Sequence, residues 1–404
     1  MKIKIPGCFI VGAMALPLML TAAPNDGLER AVAQVDRVAT SAIKLSGYAD
    51  VGYVYNFGAP TVARGFGADR QRGGNFNVSQ VRLALDKPLT VENRWQAGFG
   101  AALMLGEDAA ALSGRRGVSA LWLQHAYVSL RAPIGNGLDS RLGRLCSILG
   151  YESDERPANL NITKGASAAL DPCFATGAFF SYPATEWLTV LAGVNNGSAA
   201  DTNNGFDTDS DGYAFFGGLR ARHDGLGLAS QLAVQFAPWG EECPRHANHA
   251  SAMCAADNGP VVGVNWWLDW TPKTADGQLL LALNASLWSW GNTMIMPMPM
   301  PASTATFSAV AAYAKYQFTP LISLAGRVEY VHTHNGEFNA RRGTSYFWNN
   351  GLEDGDLYTT TLTAGFNVAE DFLVRVEYRF DYGKKASAEH DGAHLAAVEV
   401  VYAF

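Results

Sequence analysis

The chain has 404 residues, of which 48% are apolar and 17% are charged, and its formal net charge at pH 7 is −7. This acidic balance excludes the basic stripes that nucleic-acid-binding proteins present, so we expect no nucleic-acid partner. Beyond the N-terminal segment no run of apolar residues is long enough for a transmembrane helix.

The N-terminus has the pattern of a secretory signal. Lys2 and Lys4 precede a mostly apolar segment over 5–20, and the small residues of "LTAAP" offer a cleavage site just after it. We therefore predict a signal peptide over residues 1–23. Residues 24–43 have the only helical periodicity in the chain, and we interpret them as a short periplasmic leader.

From Lys44 onward the hydrophobicity has a period of two. In "KLSGYADVGYVYNF" the apolar residues share one face, and Ser, Asn, Asp and Lys share the other. Such strands of about 11–13 residues are longer than those of soluble proteins and match tilted strands that cross a bilayer. A polar face rich in Gly, Ser and charges suits a water-filled lumen, which disfavours a soluble sandwich.

Sixteen strands follow from this periodicity, and they predict an all-β fold, a transmembrane antiparallel β-barrel over 44–404. Short turns alternate with long loops, as in barrels of the bacterial outer membrane, whose turns face the periplasm. The predicted strands are 44–57, 78–88, 94–106, 120–132, 138–149, 174–184, 186–197, 212–222, 226–237, 260–271, 278–290, 306–319, 321–332, 356–368, 372–382 and 394–404.

Aromatic residues cluster near the predicted strand ends, which is typical of girdles at the two membrane interfaces. They are Trp95, Trp187, Trp266, Trp270, Phe318, Phe372 and Tyr402. Arg144 is the one charged residue that parity assigns to the lipid face. Either it lies at the outer interface, or the alternation breaks near Gly143.

The chain ends with "AAVEVVYAF", an alternating strand with a terminal aromatic residue. We expect this strand to pair with the first one, which leaves the barrel without a free edge. Tyr402 and Phe404 also resemble the C-terminal signal of outer-membrane proteins, which the barrel assembly machinery recognises.

The stretch "LQHAYVSLRAPIGNGLDSRLGRLCSILGYE" and the hairpin "ATGAFFSYPATEWLTVLAGVNNG" over 175–197 resemble the OmpL-like β-barrel porin family. The resemblance implies a porin that lies in outer-membrane lipid and passes small hydrophilic solutes by diffusion. A substrate-specific channel, or a pore-less adhesin or structural barrel, remains an alternative. The motifs indicate a fold and no cofactor, and they leave the oligomeric state open, a homo-oligomer included.

Cysteine usage fits an exported protein. Cys8 lies within the predicted signal, and an even number of cysteines remains, which favours disulfides in an oxidising compartment. We predict the pairs Cys146–Cys173, at the base of the loop over 150–173, and Cys243–Cys254. Two histidines lie between the second pair, so a metal site is the alternative there, although the spacing matches no standard zinc motif.

The segment "DTDSDG" over 207–212 matches the first half of a calcium-binding loop. The twelfth position is Gly218 instead of Glu, which excludes a complete EF-hand. A solvated acidic loop is the favoured interpretation, and a Ca²⁺ site is the alternative.

The loop over 150–173 is the third long outer loop and carries Glu152, Asp154 and Glu155. We predict that it folds into the lumen and faces basic residues of the wall, creating a transverse field that orients polar solutes. Strand parity assigns to this channel lining Arg82, Arg94, Arg131, Arg141, Arg220 and Arg222. Alternatively, these arginines only pair with acidic residues of the wall, such as Asp86.

An enzymatic barrel would need a nucleophile and a base. His125 and Ser129 share the lumenal face of one strand, but no nucleophile turn accompanies them. We therefore predict no catalytic residues.

Overall fold

The computed structural model of the protein describes residues 43–57, 74–112, 121–169, 171–172, 174–196, 213–238, 260–275, 277–293, 303–334, 355–385 and 390–404. These residues form one short α-helix, α1 (Glu107–Leu112), three single-turn 3-10 helices and sixteen strands. The strands are β1 (Lys44–Asn56), β2 (Asn75–Lys87), β3 (Gln96–Leu105), β4 (Leu121–Ala132), β5 (Leu138–Cys146), β6 (Phe174–Pro183), β7 (Leu188–Asn196), β8 (Tyr213–His223), β9 (Leu228–Ala237), β10 (Val261–Trp270), β11 (Leu279–Thr293), β12 (Ser303–Gln317), β13 (Ile322–His334), β14 (Gly355–Ala369), β15 (Phe372–Lys385) and β16 (His390–Ala403).

Each strand pairs antiparallel with its sequence neighbours, and β1 pairs with β16, so the sheet is a closed barrel. All sixteen predicted strands are confirmed, and their bounds differ from the prediction by at most four residues. The last connection is shorter than predicted, because β15 and β16 extend further than expected and only residues 386–389 separate them. No helix among the described residues is long and apolar enough to span a membrane.

The two faces of the wall differ as the period of two predicts. In β15, Val376 and Tyr378 are exposed on the outside, whereas Arg375, Glu377 and Arg379 are buried inside. The outer face is apolar along the other strands too, as lipid contact requires. Charged side chains therefore lie in the interior of the barrel, where they can contact water, one another or the loops.

Exposed aromatic residues mark both ends of this apolar band. At the end with short turns they include Trp95, Trp187 and Phe318. Near the other end, tyrosines of β13, β14 and β15 form one row, with ring centroids 5.1 Å apart for Tyr330 and Tyr358. Two such belts separated by the apolar wall match the two membrane interfaces.

The last strand closes the barrel through reciprocal backbone bonds. Gly47 N–H donates to the Phe404 carbonyl, and Phe404 N–H donates to the Gly47 carbonyl, both at 3.0 Å. A Cβ at Gly47 would lie 2.6 Å from the Phe404 ring and 2.5 Å from the Arg82 carbonyl oxygen. The absence of a side chain there allows the terminal aromatic ring to cover the seam between β1 and β16.

The alternation breaks at Gly143, which has a φ of +135°. Arg144 is 4% exposed, and its guanidinium carbon lies 5.3 Å from the ring centre of Trp122 and 5.2 Å from that of Phe174. The arginine is therefore buried against aromatic rings and does not lie at the outer interface. A glycine is favoured at this break because other residues rarely adopt such a φ.

Candidate functional site

The third outer loop, which we define as residues 147–173, joins β5 to β6, and its described residues lie inside the barrel. Its residues Ile148, Leu149 and Ala166 belong to one buried cluster with Phe216 and Trp288 of the wall. The loop starts from β5, and Ala166 N–H donates to Glu329 of β13, eight strands away around the barrel, so the loop spans the lumen. The prediction that the loop over 150–173 enters the lumen agrees with this placement.

The first part of the loop is fastened to β2, β4 and α1. Arg82 Nε lies 3.0 Å from Glu155 Oε1, and Gln124 Nε2 donates to the same oxygen at 3.2 Å. Arg156 forms a two-bonded ion pair with Asp108 of α1. Glu155 and Arg156 are both buried by these contacts, so this part of the loop is held by charge-assisted hydrogen bonds.

The middle of the loop binds to two acidic residues of the opposite wall. The backbone N–H groups of Ile162 and Thr163 donate to Glu377 of β15, at 2.5 and 3.0 Å. Those of Ala166 and Ser167 donate to Glu329 of β13, at 3.1 and 3.2 Å. Each carboxylate thus accepts two consecutive N–H groups of the loop.

Three arginines bind the carbonyl groups of the same segment. Arg375 donates to the carbonyls of Asn159 (2.7 Å) and Arg156 (3.0 Å). Arg327 donates to the Thr163 carbonyl at 2.8 Å, and Arg379 to that of Lys164 at 2.7 Å. We call these wall residues the clasp: Arg327, Glu329, Arg375, Glu377 and Arg379. The clasp satisfies donors and acceptors of a buried backbone that has no regular secondary structure.

The last part of the loop is anchored by Asp171. Its carboxylate accepts hydrogen bonds from Trp288 Nε1 (3.1 Å), Ser286 Oγ (2.9 Å) and Asn265 Nδ2 (3.3 Å). Burial raises the pKa of Asp171 to about 6, although the bonds from Trp288 and Ser286 act in the opposite direction. The loop is therefore fixed to β10 and β11 as well as to the clasp.

The three acidic residues predicted to line a passage are instead buried in ion pairs. Glu152 pairs with Arg327 at 2.7 Å, and Asp154 pairs with Lys164 of the loop itself at 2.5 Å. Glu155 pairs with Arg82, as described above. Burial raises the pKa of Glu155 to about 7, although the positive charge of Arg82 lowers it. These carboxylates therefore fasten the loop and do not face arginines across an open gap.

The predicted arginines separate into different environments. Arg82 belongs to the loop contacts, and Arg131 forms a bidentate pair with Asp139 at 2.6 and 2.7 Å. Arg94 requires a correction: β3 begins at Gln96, so Arg94 lies in the preceding turn, where its 61% exposed side chain pairs with Glu92. Arg222 lies near the end of β8 and pairs with Asp224 at 2.5 Å.

Two of the predicted arginines have no carboxylate partner among the described residues. Arg141 is partly exposed, with its guanidinium carbon 5.4 Å from the ring centre of Tyr127. Arg220 bonds to the neutral Gln231, and its charge interacts repulsively with that of Arg141. Among the described residues, the β5–β8 wall therefore carries two arginines, Arg141 and Arg220, that form no ion pair with a carboxylate.

Several predicted features lie outside the described residues: the signal peptide and most of the leader, Cys173, Cys243, Cys254 and the acidic segment over 207–212. Cys146 itself is described and is disulfide-bonded, but its partner cysteine is not among the described residues. The two pairings and the Ca²⁺ alternative therefore stay predictions. Tyr402 and Phe404 lie on the outer surface, 52% and 59% exposed, so both are accessible for recognition.

Sequence reasoning did not identify the clasp. The signal was present in β15, where Arg375, Glu377, Arg379 and Asp381 alternate along one face. So dense a row of opposite charges exceeds what a solvated wall needs. Its partners on β13, and its role in holding a loop, could not be inferred without the pairing of strands.

Comparison with known proteins places this barrel in a family. A model of the family described as "Putative beta-barrel porin-2, OmpL-like" matches residues 42–404. The chain belongs to this family of porins. It is a β-barrel of the bacterial outer membrane that crosses the membrane many times, and its function is passive diffusion of solutes through the barrel.

Solved structures similar to the porin share its architecture at low sequence identity. The outer membrane channel DcaP of Acinetobacter baumannii matches with a TM-score of 0.61 and 12% identity, over 90% of this chain and 97% of that one. An anion-selective porin from Comamonas acidovorans has a TM-score of 0.56 and 11% identity, over 90% and 99%. A trimer form of OmpT from Vibrio cholerae has 0.55 and 11%, also over 90% and 99%. A search of curated proteins found no match.

Proposed function

We propose that small hydrophilic solutes cross the porin on the side of the lumen formed by β2 to β10, past Asp86 and Arg141, and that the third outer loop sets the width of the passage. Sixteen strands enclose a lumen wide enough for water unless it is filled. The observation that carries the proposal is the difference in water access. Clasp residues such as Arg327 and Arg379 are at most 1% exposed, whereas the Asp86 side chain is 31% exposed and Arg141 is partly exposed.

The charge of this passage favours anions. Arg141 and Arg220 project positive charge into it, and nearby arginines that carry acidic partners contribute less to the local field. Because the walls have a low dielectric constant, such charges attract counter-ions strongly at close range. Solutes with carboxylate or phosphate groups therefore cross more easily than cations of equal size.

Single-channel recording in planar bilayers tests the proposal. We expect discrete conductance steps from the purified porin, and larger steps after residues 152–169 are replaced by a short Gly-Ser linker. A variant that carries the same Gly-Ser linker inserted into a periplasmic turn serves as the control. Silent insertion of correctly folded protein would contradict the proposal, and block of the current by one solute only would favour a substrate-specific channel.

A catalytic role is not proposed for His125. Its Nε2 lies 3.9 Å from Asp86 Oδ1, which is beyond hydrogen-bond distance, and a base that is not oriented by a partner is a poor general base. Hydrolysis of ester and amide test substrates by the wild type, lost in His125→Asn, would contradict this view.

Two partners complete the proposal. Tyr402 and Phe404 are offered to the barrel assembly machinery as the terminal recognition signal, and the apolar outer face contacts outer-membrane lipid. Phe404→Ala is expected to lower the folded fraction in cells while the purified variant still refolds in detergent.

A homo-oligomer is proposed because a similar barrel is described in a trimer form. Light scattering of the detergent-extracted porin measures the number of subunits directly.

A further inference from the structure

Buried oxygen atoms without hydrogen-bond partners meet on the lumenal face of the β16–β1–β2 seam. Asp50 of β1 is completely buried, and neither of its carboxylate oxygens has a hydrogen-bond partner. A buried carboxylate in this state is costly, because it has lost its water and gained no donor. Such a group indicates a ligand that supplies positive charge.

Two more orphan oxygens lie on the flanking strands. Glu399 of β16 is 1% exposed, and while its Oε2 accepts from Arg375 at 2.5 Å, its Oε1 has no partner. Asn77 of β2 donates through Nδ2 to Glu107, and its buried Oδ1 has no partner. The seam therefore presents four unpartnered oxygens from two carboxylates and one amide.

The register of the strands brings these groups around Gly52. Gly52 pairs directly with Asn77 on one side and with Glu399 on the other, and Asp50 lies two residues away on the same face. A Cβ at Gly52 would lie 3.1 Å from the Val398 carbonyl oxygen, 3.4 Å from Ser79 Oγ and 3.6 Å from Asn77 Oδ1. The missing side chain leaves a space that is bordered by oxygen atoms.

The surrounding charge is negative. The charged groups that interact with Asp50 are Glu399 and Asp108, which repel it, and Arg156 and Arg375, which attract it. Three carboxylates thus face two guanidinium groups. Both arginines are already engaged, Arg156 with Asp108 and Arg375 with Glu399 and the loop carbonyls. A cation bound at Gly52 would compensate the excess of negative charge.

We propose that the seam at Gly52 binds a hard divalent cation, with Asp50, Glu399 Oε1 and Asn77 Oδ1 as its protein ligands. Carboxylate and amide oxygens with flexible spacing are the ligand set that suits Ca²⁺, and water completes its shell. The site has only two carboxylates, so it differs from groups of three or more acidic, histidine or cysteine ligands, of which the described residues contain none. The cation joins the first and last strands beneath the third outer loop.

Thermal unfolding of the purified porin in detergent tests the proposal, followed by the temperature at which the folded band disappears on unheated gels. We expect Ca²⁺ to raise this temperature relative to EDTA in the wild type, and Asp50→Asn to abolish the increase. Because the variant also removes an uncompensated buried charge, it should unfold at or above the wild-type temperature in EDTA. Asp86→Asn, a lumenal carboxylate outside the site, should keep the full Ca²⁺ response.

The acidic segment over 207–212 is the competing source of a Ca²⁺ response. Substituting both Asp207 and Asp211 by Asn should leave the response intact. A response that is lost with these two changes and kept in Asp50→Asn would overturn the proposal, as would a wild type that responds to neither Ca²⁺ nor Mg²⁺. If Asp50→Asn does not fold, Gly52→Ala fills the same space without changing charge and should abolish calorimetric Ca²⁺ binding.

Discussion

Two walls of the barrel use the same residue type at the same depth for different purposes. Arg375 and Arg141 are each the fourth residue of a strand that starts at the end with short turns. Arg375 is 4% exposed, pairs with Glu399 and holds two carbonyls of the third outer loop. Arg141 is partly exposed and contacts Tyr127. A neighbouring carboxylate and a docked loop bury Arg375 and make it hold the loop, whereas Arg141, which has no carboxylate partner among the described residues, stays partly exposed.

Disruption of the clasp should have the largest effect on channel current and stability. The double variant Glu329→Gln and Glu377→Gln replaces each carboxylate by a neutral amide. Each side chain thereby loses its negative charge and keeps only one oxygen atom that can accept a hydrogen bond from the loop. Hydrogen bonds to charged groups contribute about 1.5–3 kcal/mol each, so docking of the loop should weaken by about 3 kcal/mol or more. We expect larger and noisier single-channel currents and a lower unfolding temperature.

The matched control for this variant is Glu92→Gln. Glu92 is also paired with an arginine, but it lies exposed in a periplasmic turn. Exposed ion pairs contribute little, so this variant should behave as the wild type. Currents of unchanged size and noise in the clasp variant would show that the loop does not depend on these carboxylates.

Substitution of Arg141 on the passage side should change ion selectivity without changing stability. Arg141→Gln removes a positive charge that no described carboxylate neutralises, so the ratio of anion to cation permeability should fall severalfold, as measured by the reversal potential in a KCl gradient. Arg222→Gln is the control, because Arg222 is paired with Asp224 at the rim. Equal shifts in both variants would argue against a special place for Arg141 in the pathway.

The smallest expected effect is a dependence on pH through Glu155. Burial raises the pKa of this carboxyl to about 7 when the loop is docked, so the docked loop binds the proton more tightly than an undocked one. This contribution to docking is complete below the ordinary pKa of the carboxyl and is lost as the pH rises through about 7. Open-channel noise should therefore increase from about pH 5 to pH 8.

Glu155→Gln separates this effect from other titrations. The neutral side chain cannot ionise, so the change centred near pH 7 should disappear. Asp171, whose pKa burial raises to about 6, acts in the same direction and should leave a smaller change at lower pH. Noise that rises equally in the variant would assign the dependence to other groups.

The sequence by itself determined the barrel. Each strand must face lipid with one side and a polar lumen with the other, and a bilayer allows no unpaired backbone, so the period of two and the turn lengths suffice to count and order the strands. Even the exception at Arg144 was visible as a break in parity. The closure of β1 on β16 followed from the same rule, because an open edge is not tolerated in lipid.

The tertiary structure decided what the charges inside the barrel do. Parity assigned Arg82, Arg141 and Arg220 to the lumen, but a period of two does not state which residue of another strand faces each one. Glu155 contacts Arg82, 73 positions away in the chain, and Glu377 binds the loop across 214 and 215 positions. Pairings over such separations depend on strand register and on the path of an irregular loop, neither of which leaves a local pattern in the sequence.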